Sequence, residues 1–220
     1  MKYRPSIDKN FTPMILKLRE FQEKVKLAKE KQKVTICLER NNGYNYHYTL
    51  DTLVDSPETN QTNLEIVDRL VKTILWIVGG YKIYVSGSKA IYEYLKDAYR
   101  VGGSREFDAL FMADVYEHPF EVVYVEEKDI PAPKVEVVKL AGDLSGCRIG
   151  FDAGGSDRKV SAVIDGNVVY SEEVVWYPKI NENPDYHYQE ILTAMKTAAS
   201  HMPRVDAIGV SSAGIYVDNK

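Results

Sequence analysis

The sequence holds few of the residues that usually announce a chemical site. It has two cysteines in 220 residues, Cys37 and Cys147. They stand far apart and belong to no Cys-x-x-Cys pair or Cys/His cluster, so neither a zinc site nor a dithiol motif is indicated. Nothing supports a disulfide between them, and buried free thiols are the better reading. The four histidines, His47, His118, His187 and His201, share no metal-ligating spacing. Long apolar runs are also missing. The longest, Ile74 to Val78, is far too short to cross a bilayer. The N-terminus, Met1-Lys2-Tyr3-Arg4-Pro5, has no apolar segment of the signal-peptide kind, so a cytoplasmic location is the default expectation. Charge of one sign is absent too. Lys and Arg number 28, Asp and Glu 32, and the net charge is −4. The charges are mixed along the chain without a basic patch or tail, which argues against a nucleic-acid partner.

What remains is the composition of a globular chain, 45% hydrophobic and 27% charged, with room for one large domain or two small ones. The 16 tyrosines suit half-buried positions on strands and helices. Thr12-Pro13 reads as a helix start. Met14, Leu18, Phe21, Val25 and Ala28 then form one apolar stripe on a helix to about Lys31. The stripe would serve either as a seam for a second copy, making a homo-oligomer, or as a face docked on its own domain. Its shortness favours the second.

Val34–Glu39 and Tyr46–Leu53 read as strands joined by Arg40-Asn41-Asn42-Gly43, whose Asn-Gly pair tolerates positive φ. Leu64, Val67, Leu70, Val71, Ile74, Leu75 and Val78 mark an amphipathic helix closed by Gly79-Gly80. A short strand at 82–85, a turn Ser86-Gly87-Ser88 and a helix at 90–100 follow. A helical stretch then runs to about Tyr116, and a strand covers 120–125. The strand–Ser86-Gly87-Ser88–helix passage fits a phosphate or adenosine cradle at a helix N-terminus; it fits an ordinary connection equally well. The two prolines after Glu126 open a connector, with a strand expected at 135–140, and the domain boundary is placed near residue 145.

The informative segment starts at Cys147. A strand enters Asp152-Ala153-Gly154-Gly155-Ser156. A second strand, Lys159–Ile164, turns through Asp165-Gly166-Asn167 into a third, Val168–Trp176. After a loop come a helix from about Tyr186 to His201 and a buried-type strand, Val205–Val210, ending in Ser211-Ser212-Ala213-Gly214. This is a β-β-β-α-β order with Gly-rich turns after the first and fourth strands. Paired glycines let backbone N–H groups approach an anion closely, and the Ser156 hydroxyl adds a neutral donor. Asp152 makes sense beside phosphate only if a cation such as hydrated Mg²⁺ lies between them. Lys159 or Arg158 could offset phosphate charge. The competing reading is a β-hairpin whose turn happens to contain Gly-Gly.

The segment IGFDAGGSDRKVSAVIDGNVVYSEE, followed by VDAIGVSSAGIYVDN, resembles the start of the ROK family of sugar kinases and sugar-sensing proteins, within the actin/hexokinase/Hsp70 superfamily. Asp152-Ala153-Gly154-Gly155-Ser156 matches the family's first phosphate motif. Ile208-Gly209-Val210-Ser211-Ser212-Ala213-Gly214 matches the strand and turn near its sugar cleft. The fold class so implied is α/β (mixed α+β). An actin-like ATPase (ribonuclease H-like) half-domain at 146–220 follows a smaller α+β domain at 1–145. The order of elements in 1–145 also looks like half of an actin-like domain, as a degenerate duplicate would. The resemblance implies transfer of the ATP γ-phosphate to a sugar hydroxyl with Mg²⁺, in carbohydrate metabolism. Gly154, Gly155 and Ser156 would contact the phosphates, with Lys159 beside them. Asp152 would hold the metal through water, and Ser211, Ser212 and Gly214 would lie near the sugar. His187, close to that cleft, is a further candidate sugar contact. The family's catalytic Asp is expected beyond residue 220, so the chain as it stands is expected to bind without turnover. A sugar- or nucleotide-sensing regulator is the alternative, and an interaction module with a purely structural Gly-Gly turn is the third reading.

Overall fold

The computed structural model describes residues 5–8, 11–135, 142 and 144–217. The chain is a mixed α/β protein and divides into two compact units, Met1–Val137 and Val138–Lys220. Each unit is built on its own four-stranded mixed sheet. The N-terminal unit is the larger of the two, against the expectation of a smaller leading domain. The strand expected at 135–140 falls, apart from an irregular Val135, outside the described residues.

In the first unit, β1 (Lys31–Glu39) and β2 (Asn45–Leu53) form the expected hairpin, in register from Lys31↔Leu53 to Glu39↔Asn45. Its turn holds Asn42 at φ 61° and Gly43 at φ 71°, the left-handed backbone that an Asn-Gly pair accepts at little cost. Helix α1 (Met14–Leu27) starts after Pro13, one residue later than the Thr12 cap would place it. Its stripe docks on its own unit. Phe21 and Val25 are buried with Ile66, and Leu50 and Leu53 pack beside them.

Helix α2 (Asn60–Val78) buries Val67, Val71, Ile74 and Leu75 and ends at Gly79, which has φ 80°. Asn63, almost wholly buried, ties it to the hairpin. Its Oδ1 accepts from the Leu53 N–H at 3.1 Å and its Nδ2 donates to the Leu53 carbonyl at 2.8 Å. The amide thus completes the backbone pairing where β2 ends.

Strand β3 (Lys82–Ser86), helices α3 (Lys89–Ala98) and α4 (Glu106–Tyr116), and strand β4 (Glu121–Tyr124) complete the unit. The sheet order is β2-β1-β3-β4, with β3 antiparallel to β1 and β4 parallel to β3. This topology overturns the duplicate reading. A copy of the C-terminal order would bring the strand after the first helix alongside β1 in parallel, and β3 runs the other way.

The phosphate-cradle reading of Ser86-Gly87-Ser88 also fails, because the chain's own carboxylate fills the place. Ser88 caps α3, accepting from Ile91 N at 3.0 Å. Its hydroxyl lies 2.8 Å from both oxygens of Asp55, which also accepts from Ala90 N at 3.3 Å and from Gln32 Nε2 at 2.6 Å. A carboxylate at a helix N-terminus satisfies the amides and the dipole that an external phosphate would seek. Gly87 is needed for the turn itself. It has φ +93°, and a Cβ there would come within 1.9 Å of the Lys33 carbonyl.

The second unit begins with a meander of β5 (Cys147–Ala153), β6 (Asp157–Ile164) and β7 (Asn167–Val175). Helix α5 (Pro184–Ala199) starts with Pro184 in its first turn and Asn183 as cap, Oδ1 accepting from Asp185 N at 2.9 Å. Strand β8 (Ala207–Ser212) then returns parallel to β5, giving the order β7-β6-β5-β8. This is the β-β-β-α-β order expected from the sequence. Helix α5 packs on the two central strands, where Ile149, Phe151, Val160 and Ala162 meet Ala194 and Ala198. Strand β8 is not the buried strand its apolar run suggests. By register Ile208 and Val210 share the face of Ile149 and Phe151, yet they are 49% and 62% exposed, because α5 covers β5 and β6 and stops short of this edge. Cys37 and Cys147 are both buried free thiols, and burial pushes the Cys37 thiol up to about 12.

Asn63→Ala removes both partners of the Leu53 backbone. It is expected to lower the stability of the first unit by about 2–4 kcal/mol, from two lost hydrogen bonds in a buried setting. Urea unfolding of the variant against wild type measures this.

Candidate functional site

The loop between β5 and β6 is three residues long, Gly154-Gly155-Ser156. Its glycines are required by close approach rather than by handedness, since neither has positive φ. A Cβ on Gly154 would come within 2.4 Å of the Asp157 carbonyl, so the turn could not close. A Cβ on Gly155 would lie 3.3 Å from Lys179 Cε and 3.6 Å from its Nζ, so there the neighbour is the end of a flexible side chain.

The loop is pinned from the far end of β7. Trp176, 4% exposed, donates from its indole Nε1 to the Gly154 carbonyl at 2.8 Å, and its backbone N–H donates to the Ser156 carbonyl at 3.2 Å. The segment after Trp176 is braced in turn. Tyr177 N donates to the Tyr186 hydroxyl at 3.0 Å, and Asn181 Nδ2 donates to the Tyr177 carbonyl at 2.7 Å. His187 stands edge-on to the Trp176 ring, with Nε2 3.1 Å from the Pro178 carbonyl and Nδ1 3.3 Å from that of Asn183. The imidazole therefore braces the chain beside the loop.

Asp152 sits at the end of β5, opposite Lys159 on β6 and Ser211 on β8. The Ser211 hydroxyl donates to Asp152 Oδ1 at 2.7 Å. The two motifs, 59 residues apart in sequence, are thus joined side chain to side chain. The pairing continues past β8, with Ala213 N donating to the Ala153 carbonyl at 2.9 Å. Since the single Ser211 proton goes to Asp152, that hydroxyl is left to act as an acceptor. Ser212 Oγ donates to the Ala213 carbonyl at 3.3 Å, and Gly214 is exposed at φ 145°.

Away from α5, the open face of the sheet carries an open trough of about 510 Å³, lined by Gly150, Asp152, Lys159, Ser161, Gly209 and Ser211 among others. A roomier groove of about 940 Å³ lies between α1 and α2 in the first unit. Its walls mix Lys17, Lys24, Arg69 and Arg105 with Glu20, Glu65 and Asp68, and Arg105 is bound to Asp68. These charges are interspersed, so the groove offers no strong field of one sign.

The cations near the loop divide sharply. Arg158 turns to the α5 side, 4% exposed, and is paired with Glu190 at 2.8 Å and Glu172 at 3.2 Å. Burial alone would lower its pKa, and the two carboxylates outweigh this and raise it. It is therefore a structural cation and does not face a ligand on the open side. Lys159 lines the trough, but its ammonium lies 2.6 Å from Asp157 Oδ1 and 3.7 Å from Glu173 Oε1. The hydrogen bond to Asp157 raises the Lys159 pKa, and the same bond lowers that of Asp157. Ser156 Oγ also bonds Asp157, at 3.2 Å. Lys179 enters no ion pair among the described residues.

No group of three or more His, Cys, Asp or Glu is placed to hold a metal among the described residues. The donor set at the loop is the single carboxylate of Asp152, supported by Ser211. That suits a hydrated Mg²⁺ carried in on phosphate oxygens, since Mg²⁺ keeps most of its waters and needs only one or two protein carboxylates.

No family model matches the chain and no curated protein matches it. Among solved structures, similarity is found to an exopolyphosphatase from Cytophaga hutchinsonii at 10% identity and a TM-score of 0.24, over 81% of this chain and 63% of that one. The psk41 ParM protein gives 11% identity and a TM-score of 0.25, over 86% and 74%. MreB5 of Spiroplasma citri, bound to ADP, gives 10% identity and a TM-score of 0.18, over 66% and 44%. At these TM-scores the likeness places no residue and assigns no ligand. No described helix is long and apolar enough to cross a membrane.

Trp176→Phe keeps most of the ring and removes the indole donor. It is expected to destabilise the second unit by about 1–3 kcal/mol, the cost of an unmet carbonyl in a shielded place. Amide exchange at 154–157 should accelerate more than exchange at the centres of β5 and β6, which hydrogen-exchange mass spectrometry resolves.

Proposed function

We propose that the second unit binds the polyphosphate end of a nucleotide at the β5–β6 loop, as the first phosphate site of a ROK-type ATP-dependent sugar kinase. The observation that carries this reading is the Asp152 carboxylate at the mouth of the Gly154-Gly155-Ser156 turn, held by Ser211 and committed to no ion pair among the described residues. An aspartate there would repel phosphate unless a cation bridged the two. Mg²⁺, when bound, would shield the phosphate charge and polarise the phosphoryl group.

The chain's own residues would do the rest. The amides of 154–156 and the Ser156 hydroxyl would receive phosphate oxygens. Asp152 would orient water on the cation, Ser211 would fix the Asp152 rotamer, and Trp176 would keep the loop shaped before ligand arrives. Ser212, the last residue of β8, and Gly214, just beyond it, are the proposed sugar contacts. Preorganisation of this kind supplies most of the catalysis in phosphoryl transfer, which asks little covalent chemistry of the protein. Transfer to a sugar hydroxyl also needs a base against the acceptor, a role assigned to none of the described residues. Binding is therefore the activity proposed for residues 147–217.

Mg·ATP titrated into the full chain by calorimetry is expected to bind, and Gly155→Val is expected to abolish the heat. A Cβ at this position meets only the end of the flexible Lys179 side chain, so the variant is expected to fold, which its unfolding temperature against wild type checks. Unchanged binding by this variant would return the turn to a purely structural role.

A further inference from the structure

We infer that Lys179, in the turn at 178–180, is the cation that closes the phosphate site over the β5–β6 loop. The inference rests on the reading of that loop as a phosphate site. It adds a residue from a segment with no sequence motif of its own.

Position is the first ground. The Cβ that Gly155 lacks would stand 3.6 Å from Lys179 Nζ, so the ammonium lies beside the loop backbone at Gly155, within reach of an anion bound there. Availability is the second. Arg158 is paired with Glu172 and Glu190, and Lys159 with Asp157 and Glu173. Lys179 has no such partner among the described residues. It is exposed, so it enters the site at little desolvation cost.

Support is the third ground. Bonds from Tyr177 N to the Tyr186 hydroxyl and from Asn181 to the Tyr177 carbonyl hold the segment, and His187 reaches the Pro178 carbonyl beside the lysine. The same segment starts at Trp176, which holds the Gly154 carbonyl. Loop and lysine are therefore carried on one braced frame, and the ammonium does not need to be recruited from a mobile tail. The Asp157 carboxylate, next to Ser156, adds a reason for the extra charge. Lys159 offsets that carboxylate, which leaves Lys179 for the ligand.

The test compares Lys179→Met, Lys179→Arg and Lys159→Met with the wild-type full chain, titrated with Mg·ATP and with Mg·pyrophosphate at several salt concentrations. Loss of one charge-assisted contact predicts that Lys179→Met weakens both ligands by about 10- to 100-fold. The salt dependence should flatten as well, and Lys179→Arg should restore most of the affinity. Lys159→Met should weaken binding less than Lys179→Met does, because the Lys159 ammonium already serves Asp157 and Glu173. A Lys179→Met chain that binds Mg·ATP as wild type does would overturn the role of Lys179 and leave the loop as the phosphate site. A wild-type chain that binds neither ligand would overturn both.

Discussion

The second unit's site depends on the indole N–H of Trp176 reaching the carbonyl of Gly154. Three residues cannot define a rigid anion site by themselves. Gly154 has no side chain, and the paired glycines that let a ligand approach also raise the entropy lost on ordering the loop. The bond spans the two ends of the β6–β7 hairpin, so β6 and β7 together set the height of the loop above the sheet. The bracing from Tyr186, Asn181 and His187 then extends this order to the turn at 178–180. Each of these contacts lies outside the Asp-x-Gly-Gly-Ser motif, and the motif's shape depends on them.

Charge is arranged around the same frame. Guanidinium and carboxylates are gathered on the α5 side, where Arg158 is enclosed by Glu172 and Glu190. Burial of the guanidinium makes that cluster costly to break, since loss of Arg158 would leave two carboxylates without their cation. On the open side, Lys159, Asp157 and Glu173 screen one another in solvent. Outside these pairings, among the described residues at the loop, stand Asp152, which accepts from a neutral hydroxyl, and Lys179. One carboxylate and one ammonium flank a row of backbone amides, which is an arrangement suited to a cation–phosphate pair.

Local signals in the sequence carried most of the elements. The Asn42-Gly43 pair set the first hairpin because its demand for positive φ is met within the turn. The spacing of Val67, Val71, Ile74 and Leu75 set α2 because a helix face repeats over a few residues. The order β-β-β-α-β was readable for the same reason. The parts that were not readable depend on partners far along the chain. Asp55 fills the end of α3 from more than 30 residues away, which turned a plausible ligand cradle into an internal cap. The exposure of Ile208 and Val210 follows from where α5 stops across the sheet, which no property of their own strand encodes. Arg158 and Lys159 are neighbours in sequence with opposite faces, and strand alternation placed them correctly only once β6 was known to begin at Asp157. Trp176 and Lys179 belong to no motif. A buried-type tryptophan just after a strand beside a Gly-rich turn was the one available hint.

The chain contains two tryptophans, and they fall one to each unit in unlike surroundings. Trp76 is 42% exposed and stacked with Phe107 and Phe111, while Trp176 is almost enclosed. Indole emission shifts to the red as water gains access, so the protein carries two built-in spectroscopic labels at different wavelengths. A single fluorescence trace can therefore say which half has come apart, without any dye attached.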